Sequence, residues 1–294
     1  MSISRQNLTV VIVTFKSENV IHDCIRSISE DIKIVVVDNS KDKEFKKNIE
    51  EKYKNVECIL SSENLGMGSG NNLGIKNVIT DYAFILNPDV ILETNTIDEI
   101  IFSSKKISSF AIMAPMSDSK KYPNYKLDKS SYFDEINPFK VKSIDGYAML
   151  LNLKKINQLE KFNDNFYFDE NFFLYLENDD LCKRIIDCGE SIYVIPKSKI
   201  KHLGGKAVDL RYKDEIEFSR NWHWIWSKFY FNKKHYGFFF AFFKGLPSFF
   251  SAIIKFFYYF ITMNTKKRKI YLCRIFGFVN ALLGNKSLYR PKLK

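Results

Sequence analysis

A block of acidic and amide residues, Glu-Asn-Asp-Asp at 177–180, directly follows the apolar run Phe-Phe-Leu-Tyr-Leu at 172–176. A carboxylate beside apolar side chains loses hydration, which raises its pKa and its basicity. A positioned carboxylate can act as a general base, which contributes roughly 10²–10⁴-fold to a rate. Acids in the first turn of a helix also stabilise the helix dipole. That structural role explains Asp179 and Asp180 well and Glu177 less well.

Polar residues also end four successive predicted strands, at Thr14, Asp38, Asn64 and Asp89. The strand-like runs cover 8–15, 33–40, 56–60 and 82–92, the last broken at Asn87-Pro88, and predicted helices separate them. This alternation predicts a parallel sheet with helices on both faces. Ligands of such sheets bind beyond the carboxyl ends of the strands. Any one of these residues could simply end its strand, but four at successive ends favour a binding site.

The sequence does not have the dinucleotide-binding pattern. That pattern places G-x-G-x-x-G directly after the first strand, whereas the first strand here is followed by TFKSEN, without glycine. The glycines at 66, 68 and 70 come after the third strand instead, and position 71 is Asn. Hydride transfer is therefore disfavoured.

Further elements follow from local patterns. We expect residues 68–79 to form a loop entering a helix, and Thr96 with Glu99 to form a capping box. Residues 143–153 resemble a strand with Asp145 and Gly146 near its start. A helix is expected from Asp180 to Gly189, and the segment 199–205 places His202 beside two glycines.

The chain is large enough for one domain with an appendage, since it has 294 residues, 46% of them apolar. Its net charge of +11 is uneven: from Phe218 onward there are fifteen Lys or Arg and no Asp or Glu, and the preceding residues sum to −4. We therefore expect a domain at 1–217 and a basic aromatic tail at 218–294. Five scattered cysteines predict free thiols, and the N-terminus enters a strand pattern without a signal peptide, as expected for a cytoplasmic protein.

The tail contains the run YGFFFAFFKGLPSFFSAIIKFFYYFITMNTK at 236–266. Its longest stretch without Lys or Arg is about ten residues, and a membrane span needs ~20, so a span is not expected. Lys244, Lys255 and Lys266 are spaced by eleven, which predicts an amphipathic helix, with a break near 245–247. Such a helix suits a membrane interface, with its lysines toward anionic headgroups. Nucleic acid is a less suitable partner than lipid, because clusters of phenylalanine suit lipid better than phosphate. The competing hypothesis is that the tail forms a homodimer interface.

Seven motifs together carry a family resemblance: VIVTFKSE, VVVDNS, ENLGMGSGNNLGI, FILNPDV, DGYAMLL, FDENFFLYLENDDLCKR and HLGGKA. In this order they resemble the inverting nucleotide-sugar glycosyltransferases of family 2, and within it the bacterial rhamnosyltransferase-like branch. The resemblance implies the GT-A fold, an α/β architecture with a mainly parallel sheet flanked by helices. Here a C-terminal helical amphipathic tail is added to it.

The resemblance also implies where the nucleotide sugar binds. The ends of the first two strands would hold the base and ribose, and a carboxylate there can accept the imide N–H of uracil or thymine. The glycine-rich segment would line the nucleotide and sugar pocket. The implied binding residues are Thr14, Phe15, Asp38, Asn64, Gly66, Asn71, Asn72, Asn87 and Asp145, the last on the acceptor or donor-sugar side.

A divalent cation, Mg²⁺ or Mn²⁺, is implied as cofactor. Asn-Pro-Asp at 87–89 takes the place of the family's Asp-x-Asp metal motif, so Asp89 is the expected ligand and Asn87 its polar support. His202 matches a family histidine that can complete the coordination of the metal or the diphosphate.

The general base is implied in the acidic block. The usual family pattern is Glu-Asp-x-Asp, and the Asn at position 178 cannot serve as a base. Glu177 is therefore the expected base. Asp180 is the second candidate, with a role in holding the helix start, and Asp179 is a further substitute.

The function implied is transfer of a sugar, rhamnose from dTDP-rhamnose, to a lipid-linked or lipooligosaccharide acceptor at the cytoplasmic face of a bacterial membrane. A UDP-hexose or galactofuranose transferase is the alternative within the fold. The Asn residues at 87 and 178 motivate a second hypothesis. In it the chain is a catalytically inactive relative that binds nucleotide sugar or membrane as an assembly component. A membrane scaffold using only the tail is the third.

Overall fold

The structure is a computed structural model that describes residues 3–119, 122–128, 131–162, 166–205 and 207–291. The chain forms two compact units. The first unit comprises Met1–Asp169 and Asn178–Asp209, and the second comprises Glu170–Glu177 and Leu210–Lys294. A short internal segment is therefore grouped with the C-terminal helices.

Strands and helices alternate through the first unit as the sequence predicts. Its elements are β1 (Leu8–Thr14), α1 (Glu18–Arg26), β2 (Lys33–Asp38), α2 (Lys43–Lys52), β3 (Val56–Leu60), α3 (Gly66–Ile75), β4 (Tyr82–Leu86), β5 (Val90–Leu92), α4 (Thr96–Ser104), β6 (Ile112–Ser117), β7 (Tyr125–Lys126), β8 (Phe139–Lys140), β9 (Ser143–Ile144), β10 (Ala148–Asn152), α5 (Leu153–Ile156), α6 (Glu177–Asp187, whose first residue is grouped with the second unit) and β11 (Ile192–His202).

The main sheet is mixed. Its strand order is β3-β2-β1-β4-β10-β6-β11-β5, with β8 paired to β11 and a separate ladder of β7 with β9. Strands β1 to β4 are parallel, as predicted, whereas β10 is antiparallel to both of its neighbours. The run expected as one strand at 143–153 is two, and residues 145–147 lie between them.

Helices cover both faces of this sheet. Val10 and Ile12 of β1 belong to one buried cluster, which contains residues of α1, α2 and α4. Val11, between them, belongs to a second cluster, which contains residues of α3, α5 and α6. Because side chains alternate along a strand, a continuous apolar run such as 8–13 is buried on both sides.

The glycine-rich segment is helical where a loop was expected. Helix α3 begins at Gly66, and a Cβ atom at Gly70 would lie 2.8 Å from Val13 Cγ1. A Cβ atom at Gly74 would overlap Val11 Cγ1. Glycine at these two positions therefore allows close packing of α3 on β1.

The capping box predicted at Thr96 and Glu99 is wrong. The N-cap of α4 is Asn95, and it makes no side-chain capping bond. The Thr96 hydroxyl instead donates to the backbone carbonyls of Glu93 and Lys199. It anchors the helix start to β11, a contact that local sequence cannot indicate.

The second unit contains α7 (Lys213–Tyr236), α8 (Phe238–Ile261) and α9 (Thr265–Leu282). The boundary expected at 217/218 falls inside α7. Acids at the start of α7 pair with lysines of α9: Lys266 with Asp214 at 2.7 Å, and Lys269 with Glu215 at 2.9 Å. The last acids of the chain therefore neutralise lysines of the basic C-terminal helices.

Helix α8 differs from the amphipathic helix expected at 236–266. It continues through Pro247 without a break and ends at Ile261, so Lys266 belongs to α9. Within the described residues, one helix is long enough and apolar enough to cross a membrane, judged by length and composition alone. That helix is α8. The charge spacing did not indicate this, because a helix of 24 residues with two lysines still meets that criterion.

The packing of α3 predicts an unusual effect of Gly74→Ala. Alanine stabilises a helix by about 1 kcal/mol relative to glycine. The added methyl group, however, overlaps Val11, and overpacking of this kind costs about 1–3 kcal/mol of stability. We expect a lower free energy of unfolding in urea. The double variant Val11→Ala/Gly74→Ala should lose less than the sum of the single losses. Strictly additive losses would show that Val11 does not set the cost.

Candidate active site

Thr14 and Asp38 stand side by side at the ends of β1 and β2. The Thr14 hydroxyl donates to Asp38 Oδ1 at 3.1 Å. The same carboxylate accepts the backbone N–H groups of Ser40 at 3.1 Å and Asp42 at 2.9 Å. Both side chains are buried. Three donors therefore hold the carboxylate in one orientation, and its remaining lone pair can accept an N–H group of a ligand.

Phe15 begins the loop that follows β1. Its backbone N–H donates to Ser17 Oγ at 3.1 Å, and Lys16 has a φ of 52°. This loop is tied to the chain that follows β11, because Ser17 Oγ donates to Ala207 O at 2.6 Å and Asp209 N donates to Lys16 O at 3.0 Å. The predicted nucleotide loop is thus braced on one side.

Asn64 and Gly66 form the entrance to α3. Asn64 Oδ1 accepts the N–H of Gly66 at 3.1 Å, and Gly66 has a φ of 79°, which favours glycine. The carbonyl of Gly66 accepts a bond of 3.0 Å from Asn39 Nδ2. Asn39 is a structural residue that sequence reasoning missed, although it lies in the motif VVVDNS.

The two amides predicted on α3 differ in their surroundings. Asn72 clamps the backbone of Phe168, donating to its carbonyl at 2.8 Å and accepting its N–H at 3.0 Å. Asn71 Oδ1 is buried and has no hydrogen-bond donor within the described part of the chain. Asn71 is therefore the better candidate for a ligand contact, and Asn72 holds the chain.

Asp89 and His202 lie together, as the sequence predicts for a metal site. Asp89 Oδ1 is 3.5 Å from His202 Nε2, and Tyr147 stacks on the imidazole with ring centroids 4.0 Å apart. Burial raises the pKa of Tyr147 to about 12, so its hydroxyl stays protonated. No local pattern marks Tyr147, because its partner lies far along the chain.

The donor set around Asp89 fits a divalent cation. Asp89 Oδ1 and Asn87 Oδ1 are both buried and accept no hydrogen bond from the described residues. Carboxylate and amide oxygens with one imidazole nitrogen suit Mg²⁺ or Mn²⁺. The described residues contain no group of three or more His, Cys, Asp or Glu side chains arranged for a metal. Any cation there must draw further ligands from substrate or water.

Asp145 lies in the turn between β9 and β10. Its backbone N–H donates to Asn124 O at 2.8 Å. Asn124 is itself buried, and its side chain joins Ser117 N and Pro115 O. Burial raises the pKa of Asp145 above its usual value, although Lys126 opposes this shift.

Asn178 fastens the same turn to helix α6. Its Nδ2 donates to Ile144 O at 2.7 Å, and a Cβ atom at Gly146 would lie 3.1 Å from Asn178 Cβ. A carboxylate cannot donate this bond. The amide at 178, which departs from the family pattern, therefore has a structural reason in this chain.

The two aspartates that follow are engaged in ion pairs. Asp179 pairs with Lys126 at 2.8 Å. Asp180 is fully buried and pairs with Arg184 Nε at 2.9 Å, and Arg184 lies over the ring of Phe162. These contacts support the expected role of Asp180 in holding the helix, and they engage both carboxylates in ion pairs.

Glu177 is the first residue of α6 and is buried. The two residues before it, Tyr175 and Leu176, have φ values of 71° and 67°. This left-handed conformation costs roughly 1–2 kcal/mol for each residue with a side chain. Such strain persists only where the surroundings impose it and is common at functional sites.

The apolar run 172–176, which was expected to desolvate the Glu177 carboxylate, also packs against other aromatic residues. Phe172 packs edge-on against Tyr230 at 4.9 Å, and Tyr175 packs against Trp224 at 5.3 Å. Both partners belong to α7. Residues 172–176 are therefore apolar chiefly because they pack on the C-terminal helices.

The structure thus pairs several predicted residues directly: Thr14 with Asp38, Asn64 with Gly66, and Asp89 with His202. Phe15, Asn71, Asn72, Asn87, Asp145 and Asp180 also lie in the first unit, whereas Glu177 is grouped with the second.

Comparison with known proteins identifies the family. A family model described as Glycosyl transferase family 2 matches residues 9–178. The low-salt glycan biosynthesis hexosyltransferase Agl10 of Haloferax volcanii is 26% identical over 196 residues, which cover 60% of this chain and 61% of that protein. The rhamnosyltransferase WbbL of Escherichia coli K12 is 25% identical over 215 residues, which cover 64% of this chain and 80% of that protein. The chain thus spans about three fifths of the first relative.

A solved structure shows the same fold. The mannosyltransferase PcManGT from Pyrobaculum calidifontis, in complex with GDP-Man and Mn²⁺, aligns with a TM-score of 0.56 and 11% identity. The alignment covers 96% of this chain and 89% of that one. At this identity the likeness concerns the fold.

The anchoring bond predicts that Asn178→Asp destabilises the protein at pH 7. The carboxylate loses the bond to Ile144 O and places oxygen against oxygen, which costs about 1–3 kcal/mol. The thermal unfolding midpoint should fall. Asn77→Asp is the matched control, because its amide makes the same type of bond, to Leu73 O, in an exposed position. Equal midpoints for both variants would contradict the anchoring role.

Proposed function

The chain belongs to glycosyl transferase family 2, and on that premise we propose that it transfers a sugar from a nucleotide sugar to an acceptor hydroxyl with inversion. The observation that carries this proposal is the buried Asp89 carboxylate, whose Oδ1 accepts no hydrogen bond from the described residues and lies 3.5 Å from His202 Nε2. A buried carboxylate oxygen without a donor is costly, and a bound cation would offset that cost.

The donor is proposed to bind at the carboxyl ends of β1 and β2. Asp38, already oriented by Thr14, offers an acceptor for the imide N–H of uracil or thymine. Asn71 offers a buried amide oxygen. We propose dTDP-rhamnose as donor, supported by the similarity to a rhamnosyltransferase, with a UDP-linked hexose or galactofuranose as the alternative.

A divalent cation is proposed at Asp89 and His202, with Asn87 in support. Such a cation, when bound with the donor, neutralises the charge that develops on the leaving diphosphate. The protein's own part is to keep Asp89 oriented, and the stacking of Tyr147 on His202 fixes the plane of the imidazole.

Glu177 is proposed as the general base. Its carboxylate takes the proton of the acceptor hydroxyl while that oxygen forms a bond to C1 of the sugar. The bond from C1 to the diphosphate oxygen breaks at the same time, and the nucleoside diphosphate leaves with the electron pair. Inversion at C1 follows from attack opposite the leaving group. Support comes from the ion pairs that occupy Asp179 and Asp180.

The acceptor is proposed to be lipid-linked or a lipooligosaccharide, met at the cytoplasmic face of the membrane by α8. The helix packs on its own unit through small residues: Ala241 and Ala252 are buried, and Gly245 adjoins Phe278. Apolar residues spaced by three, four or seven positions form another face and are each more than half exposed: Phe239, Phe243, Phe250, Ile254, Phe257 and Ile261. This set is called the α8 stripe below.

Charge complements the α8 stripe. The two lysines of α8 contact neighbouring helices. Lys244 donates a hydrogen bond to Asn232 of α7 at 3.2 Å, and Lys255 lies over the ring of Tyr271 of α9. The stripe itself therefore carries no charge, while the unit as a whole is basic. Apolar residues beside basic groups suit the surface of an anionic bilayer, in which α8 would lie in the interface.

Glu177→Gln tests the reaction. The amide cannot take a proton, so we expect kcat to fall by roughly 10²–10⁴-fold with the KM for the donor little changed. Sugar transfer and nucleotide release are measured with dTDP- and UDP-sugars, with and without Mn²⁺. Asp179→Asn is the control, because it removes a neighbouring carboxylate and should have a small effect. A wild-type chain that binds nucleotide sugar but turns over none would establish the inactive binding protein instead.

Serine at three positions of the α8 stripe, Phe243, Ile254 and Phe257, tests membrane contact. Burying one such side chain contributes about 1.5–3 kcal/mol, so binding to phosphatidylglycerol vesicles should fall by at least roughly 100-fold in co-sedimentation. The matched control places serine at three exposed apolar residues of the first unit, Ile79, Phe102 and Ile136. Unchanged vesicle binding with a changed oligomeric state would assign the stripe to a dimer interface.

A further inference from the structure

The segment Glu170–Glu177, called the base segment here, is grouped with the C-terminal helices although it lies far from them in sequence. We infer that helix α7 holds the base segment in its catalytic conformation, and that Ser227 is a positioning residue for Glu177. This inference rests on the proposed role of Glu177. It gives α7 a role in catalysis in addition to the membrane contact proposed for α8.

The central contact is a buried hydrogen bond. The Ser227 hydroxyl donates to the carbonyl of Leu174 at 2.8 Å, and Ser227 has no exposed surface. A buried carbonyl that loses its donor pays the full cost of desolvation. The bond therefore fixes the backbone of the base segment three residues before Glu177.

Aromatic contacts repeat this attachment on the same face of α7. Tyr230 packs on Phe172 at 4.9 Å, and His223 lies 4.5 Å from the ring of Phe173. Positions 223, 227 and 230 are spaced as i, i+4 and i+7, so they share one helix face. One face of α7 is thus shaped to receive the base segment.

Residues near the C-terminus hold the His223 ring through hydrogen bonds. Its Nε2 is 2.8 Å from Tyr289 O, and its Nδ1 is 2.9 Å from Ser287 Oγ. Burial lowers the pKa of His223 to about 3, which keeps the ring neutral where it packs on Phe173. Arg290 also contacts Phe173, because its guanidinium carbon lies 3.9 Å from the centroid of the Phe173 ring.

Backbone strain lies between this attachment and the carboxylate. Tyr175 and Leu176, which follow the bonded carbonyl, are left-handed. Residues with side chains relax from that region unless their surroundings hold them. Loss of the Ser227 bond would let the two residues relax, and this would move Glu177 away from its position.

The test compares Ser227→Ala with Ser219→Ala in the full-length chain. Ser219 lies two turns earlier on α7 and is also buried, so its replacement is the matched control. In Ser227→Ala we expect kcat to fall roughly 10- to 100-fold with the KM for the donor unchanged, because displacement of a reacting group lowers kcat. Ser219→Ala should keep the wild-type kcat.

Hydrogen–deuterium exchange supplies a readout that does not depend on activity. Backbone amides of residues 172–180 should exchange faster in Ser227→Ala and at the wild-type rate in Ser219→Ala. Equal exchange in the two variants, or a kcat loss shared by both, would overturn the positioning role. A wild-type chain without transferase activity would refute the proposed function, while the exchange rates would still decide whether Ser227 holds the base segment.

Discussion

The parallel pairing of β1 with β2 and with β4 is the constraint on which the candidate site depends. It places Thr14 beside Asp38 and delivers the turn after β4 to the same edge of the sheet. Strand β10 extends that edge, because Asn87 N donates to Tyr147 O at 2.9 Å beyond the last strand pair. Asp89 follows two residues later. A fixed ladder of backbone bonds thus sets the positions of side chains that are distant in sequence.

Amide side chains do much of the structural work around that edge. Asn39, Asn72 and Asn178 each donate to a backbone carbonyl. Aspartate could not replace them in this, since an ionised carboxylate only accepts. An amide at position 178 is therefore compatible with an active enzyme, because this residue holds a turn and the proposed base is the neighbouring Glu177.

Two roles are proposed for the C-terminal unit: contact with a membrane surface and support of the base segment. Its basic and aromatic composition suits a membrane surface, and its α8 stripe has no charge. Helix α7, in contrast, packs against the base segment, and its Ser227 hydroxyl donates a hydrogen bond to that segment.

The sequence alone determined the alternation of strands and helices, the family, and the pairing of Asp89 with His202. These follow from local periodicity and from motifs in a known order, and the family match and the fold confirm the first two. Only the tertiary structure decided that Asn72 and Asn178 bind backbone, that α3 begins at Gly66, and that the apolar run before Glu177 belongs to α7. Those outcomes depend on which distant groups meet in space, and the period of a sequence carries no information about partners thirty residues or more away.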